Sequence, residues 1–155
     1  MACMAYVDLN PIRAKMAETP EESDYTSIQQ RIHTLLHDQN NESPTQPIDL
    51  YPFAGNPKDN MPDGIPFRLE DYIALVDWTG KQLHEGKRGK IDSSLPEIIS
   101  RLGIEPENWQ YLTTKFEESF TLMAGHPDNV EAACTHLGKA WTRGIRQCRQ
   151  LFQRE

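Results

Sequence analysis

Six of the chain's 11 prolines (Pro44, Pro47, Pro52, Pro57, Pro62 and Pro66) fall between residues 39 and 66. Proline fixes its own φ, has no N–H to donate and pushes the preceding residue out of the α region, so no long helix or central strand can pass through this stretch. Asn40-Asn41, Gly55-Asn56 and Asp63-Gly64 add turn signals. The chain is therefore organised around an interruption: N-terminal helices in 1–38, a proline-rich linker or packed extended segment in 39–67, and a C-terminal helical domain in 68–155. Residues 39–47 are polar and expected to be mobile. Ile48, Leu50, Tyr51, Phe53, Met61, Ile65 and Phe67 make 48–67 irregular but packed.

On both sides the apolar spacing is helical, which predicts an all-α fold: a small bundle of about six helices, with its core in residues 69–152. Residues 4–9 read as helix, stopped at Asn10-Pro11, and 11–17 as a second short one. A firmer helix runs from Ser23 or Asp24 to Asp38, with Tyr25, Ile28, Ile32, Leu35 and Leu36 inward. The clearest begins at Leu69 and ends before Gly86, carrying Leu69, Tyr72, Ile73, Val76, Gly80 and Leu83 at three- and four-residue intervals. A short helix over 94–102 and one over 106–124 follow; Trp109, Leu112, Phe116, Phe120 and Met123 face the core of the latter. The last helix starts at Pro127-Asp128 and runs almost to the end, on an apolar line of Val130, Cys134, Leu137, Trp141, Ile145, Cys148 and Phe152 interrupted by Gly138 and Gly144.

The net charge of −7 argues against nucleic acid until its distribution is considered. Residues 17–138 carry nine basic and 21 acidic side chains, whereas 139–155 carry five basic and one acidic. Lys139, Arg143, Arg146, Gln150 and Arg154 form a polar, mostly basic stripe beside the apolar line, and Arg149 adds to it. Residues 133–144 resemble a helix-turn-helix, with the turn at Leu137-Gly138 and a basic helix second. Lys139, Arg143, Arg146 and Arg149 are thus candidate DNA-phosphate contacts, with Arg13 and Lys15 second. Lys87-Arg88-Gly89-Lys90 reads as a solvated basic turn.

Other chemistry is sparse. Cys3, Cys134 and Cys148 are odd in number and lack C-x-x-C spacing, which disfavours a disulfide framework or a zinc site. His33 and His37 share a helix face, but no third ligand and no general base accompanies them, so no metal site is expected. No apolar run approaches the ~18 residues of a membrane span, and no basic-then-apolar leader opens the chain, so a cytoplasmic protein without membrane contact is expected.

The most specific word is Tyr-x-x-x-Asn-Pro-x-Arg, spelled by Tyr6, Asn10, Pro11 and Arg13 within Met4-Ala5-Tyr6-Val7-Asp8-Leu9-Asn10-Pro11-Ile12-Arg13-Ala14. It resembles the single-tyrosine transposases of the REP-associated and insertion-sequence type, and segments at 24–28, 52–56, 66–72, 76–80 and 87–89 are similar to their C-terminal extension. The resemblance implies that Tyr6 is the nucleophile that attacks single-stranded or hairpin DNA, with a divalent metal such as magnesium or manganese held by a His-hydrophobic-His pair of an upstream domain. No His-x-His occurs in this chain. A free tyrosine, with a pKa near ~10, is a weak nucleophile. The expectation is a C-terminal portion of such a transposase that holds no cofactor and is inactive alone, with weak DNA binding through its C-terminal basic helix. Without the catalytic domain, Met4, Val7, Leu9 and Ile12 would be exposed, which predicts a homodimer through 1–38. The alternative is a protein-interaction module or inert gene remnant with no nucleic-acid role.

Overall fold

The computed structural model describes residues 1–37, 46–55, 63–84, 98–99, 101–102 and 104–152. Among them the architecture is all-α: α1 (Ala2–Asp8), α2 (Asn10–Arg13), a 3₁₀ turn (Pro20–Glu22), α3 (Ser27–His37), α4 (Leu69–His84), α5 (Pro106–Ser119), α6 (Pro127–His136) and α7 (Ile145–Leu151). Extended pairing among the described residues is confined to an isolated parallel bridge between Phe53 and Ile65. The short helix expected over 94–102 lies mostly outside the described residues, as do the 87–90 basic turn and Arg154.

The chain divides into two compact units, Met1–Tyr6 with Ile91–Glu155, and Val7–Lys90. Packing and sequence character thus divide the chain at different places. The single core expected in 69–152 is replaced by one core per unit, because α4 packs on α2 and the 3₁₀ turn.

In the unit Val7–Lys90, α4 supplies the buried Tyr72, Leu75, Val76 and Thr79. Gly80 lets α2 approach closely: a Cβ there would lie 2.9 Å from Ile12 Cδ1 and 3.5 Å from Leu9 Cδ2. Leu9 and Ile12 are accordingly buried. This corrects the premise of association through 1–38, since most of the apolar face expected to lie open is covered within the chain, and only Val7 of the four is mostly exposed.

The start of α3 corrects a second expectation. Thr26 caps the helix, its Oγ1 accepting the Gln29 N–H at 3.3 Å. Tyr25, assigned to the inward stripe, precedes that cap at φ 64° and is 102% exposed. The proline-rich segment packs through Phe53 and Phe67, both buried. The Gln46 side-chain amide clamps Phe53, donating to its carbonyl at 2.8 Å and accepting its N–H at 2.7 Å, and the Phe53 ring stacks on Tyr72 at 5.1 Å.

In the other unit, Trp109 and Leu112 of α5 are fully buried with Cys148 of α7, and Val130 and Cys134 of α6 are nearly so. Proline opens both α5 and α6, where its missing N–H costs nothing. The Asn108 amide ties α5 to the end of α7 by donating to the Leu151 carbonyl at 3.3 Å. α5 ends at Ser119, not at 124 as the spacing suggested: Lys115 leaves helical geometry (φ −120°, ψ 18°) and Phe120 is extended.

Candidate nucleic-acid interface

The long C-terminal helix expected from Pro127 is two helices, and the break positions the basic residues. α6 closes in a Schellman motif: Gly138 takes φ +64°, its N–H reaches the Thr135 carbonyl at 3.0 Å, and the Lys139 N–H reaches the Cys134 carbonyl at 2.8 Å. The basic helix of the expected helix-turn-helix therefore does not begin at 139; an eight-residue connection, 137–144, intervenes before α7. Its far end is fixed as firmly. Gly144 sits at φ +98°, so close to the end of α5 that a Cβ would fall within 2.7 Å of the Ser119 carbonyl oxygen and closer still to the Phe120 ring. Beside it, Thr142 is buried and Arg143 Nη2 donates to the Glu118 carbonyl at 2.7 Å.

Along this stretch Lys139, Arg143, Arg146 and Arg149 are all exposed, while Thr142, Gly144 and Cys148 turn inward. Arg149 is also paired with Glu131 at 2.7 Å, an exposed ion pair of small worth that a phosphate can replace. Burial pushes the Cys148 thiol pKa up, and a backbone hydrogen bond with Gly125 pulls against it. Trp141 and Leu137, expected on the apolar line, are instead exposed, Trp141 to 73%.

Tyr6 is half-buried on α1. Its hydroxyl donates to Glu117 Oε2 at 3.0 Å and its ring lies 5.9 Å from that of Phe116. Glu117 thus holds the phenol in place by accepting its hydrogen bond. Phe116 also lines an open groove of about 890 Å³ whose walls include Leu102, Ile104, Phe120, Met123 and Phe152.

Arg13 and Lys15 belong to the other unit. Arg13 is half-buried, its Nη2 donating to Asn10 Oδ1 at 3.1 Å within the Asn-Pro-x-Arg word, and Lys15 is exposed at φ 58°. His33 and His37 are exposed on α3. Among the described residues no group of three or more His, Cys, Asp or Glu side chains could hold a metal.

The residue that sequence reasoning missed is Asp8. It is 1% exposed, and its carboxylate accepts from Ser27 Oγ at 2.9 and 3.1 Å, from the Ile28 N–H at 3.2 Å and from the Tyr72 hydroxyl at 2.5 Å. It supplies negative charge at the start of α3. Arg31, 2% exposed, stacks on Phe53 at 4.8 Å and donates to the Tyr51 carbonyl. Burial lowers its pKa, opposed by Tyr72 and Asp8. This cluster is structural: it joins α1, α3 and α4. Comparison with protein-family models, curated proteins and solved structures gives no match.

Proposed function

We propose that this chain is a transposase-related DNA-binding protein whose phosphate contacts come from Lys139, Arg143, Arg146 and Arg149. One observation carries the reading: four cations within 139–149 all face solvent, while their neighbours Thr142, Gly144 and Cys148 face the core. That is the disposition a phosphate-binding surface needs, and it concentrates positive charge on a chain that is acidic elsewhere. The Tyr6 word adds the resemblance to single-tyrosine transposases. Tyr6 is the nucleophile in that reading, and the resemblance assigns the metal that cleavage requires to a His-hydrophobic-His pair of an upstream domain. Titrating labelled single-stranded and hairpin DNA with the chain at several salt concentrations tests the DNA binding, with Arg143→Gln/Arg146→Gln as the comparison. Binding that weakens steeply with salt, with a slope that the variant flattens, supports the proposal.

The open apolar groove beside Phe116 favours a second reading, an interaction module that takes an apolar partner segment. Salt-insensitive association with another protein, and no binding to DNA at low salt, would favour it.

A further inference from the structure

Deepening the DNA-binding proposal, we infer that Trp141 is a base-stacking platform that makes this surface select single-stranded over duplex nucleic acid. The argument begins with the 137–144 connection. Its backbone is anchored on both sides of Trp141: before it by the Schellman closure, with Lys139 N–H bonded to the Cys134 carbonyl, and after it by buried Thr142, the Arg143–Glu118 bond and Gly144 against Phe120. Trp109 of the same unit, on α5, is fully buried. Trp141 instead presents 73% of its surface to solvent, two residues from Lys139 and two from Arg143.

Exposed aromatic surface costs free energy in water, and the backbone that carries this indole is anchored, so little backbone ordering remains to be done when a partner arrives. The cations on either side define the partner. An aromatic ring between basic groups fits a strand whose bases are unpaired, with the ring stacking on a base and Lys139, Arg143 and Arg146 meeting the phosphates. In a duplex the base faces are already stacked on one another, so the same cations bind but the ring gains nothing.

The test uses the full chain with a labelled poly-dT strand, a duplex of the same length, and vesicles of phosphatidylcholine with phosphatidylserine. Trp141→Ala, Trp141→Phe and Leu137→Ala are compared with the parent, and circular dichroism checks that each is folded. Trp141→Ala should weaken single-strand binding on the order of tenfold, leave duplex affinity and the salt slope unchanged, and abolish the quenching of tryptophan fluorescence by the strand. Trp141→Phe should keep most of the affinity, and Leu137→Ala should keep all of it. Equal affinity of parent and Trp141→Ala for the single strand, or equal losses on strand and duplex, overturns the stacking inference while leaving the DNA reading intact. No salt-sensitive binding to either nucleic acid overturns both, as does a response of Trp141 to the anionic vesicles alone.

Discussion

Replacing Asp8 with Asn tests whether the fold around α3 depends on a buried charge. The carboxylate accepts hydrogen bonds from Ser27, the Ile28 N–H and Tyr72. An amide oxygen in the place of Oδ1 can keep the Ser27 and Ile28 bonds, but as neutral ones. The amide nitrogen in the place of Oδ2 then points a donor at the Tyr72 hydroxyl, which is itself donating. Hydrogen bonds to a charged partner are worth ~1.5–3 kcal/mol each against ~0.5–1.5 for neutral ones, and buried Arg31 also loses a nearby negative charge. Loss of one strong bond and weakening of two others gives a cost of about 2–4 kcal/mol for Asp8→Asn, and about 3–5 for Asp8→Ala, which leaves buried donors unpaired. Urea unfolding followed by far-ultraviolet circular dichroism measures it. Tyr72→Phe in a double-mutant cycle should show coupling, with the two substitutions together costing less than their separate costs added. An Asp8→Asn protein within about 0.5 kcal/mol of the parent would refute the reasoning.

Two further predictions concern the unit that carries the basic surface. Gly144→Ala forces a side chain into left-handed backbone and against the Ser119 carbonyl and the Phe120 ring, so it should lower stability by about 2–4 kcal/mol in urea unfolding. Cys3 is exposed whereas Cys134 and Cys148 are buried, and burial leaves less of Cys148 as the reactive thiolate. A thiol reagent at neutral pH should therefore modify one cysteine quickly in the native protein and the other two only on unfolding, as read by mass spectrometry.

What was legible in the sequence was local. Pro106 and Pro127 mark helix starts, and the four-residue spacing of Tyr72, Val76 and Gly80 marks α4. Each of these signals acts within a turn of its own position. Gly80 illustrates the limit: the sequence places it on the inward stripe but cannot say that Ile12 fills the space its missing Cβ leaves. Asp8 lies 20 residues from the helix N–H it accepts, and no local pattern announces such a cap. Tyr25 fits the helical period, but Thr26 caps α3 after it and leaves it outside. Trp141 fits the apolar line in the same way; the line is broken because Gly138 and Gly144 both take positive φ, which ends α6 and delays α7. The basic residues of the candidate surface were therefore visible as residues, but their presentation on an anchored connection with an exposed tryptophan was not.

The most direct test of the central claim is the salt dependence of DNA binding, measured by fluorescence anisotropy of labelled single-stranded DNA with and without magnesium or manganese. For single strands the logarithm of the affinity falls against that of salt by ~0.7 per phosphate contact. Two to four contacts from Lys139, Arg143, Arg146 and Arg149 therefore predict a slope of about −1.5 to −3, and Arg143→Gln/Arg146→Gln should flatten it by about 1.4. Absence of binding at low salt, or a slope that the double substitution leaves unchanged, would contradict the account.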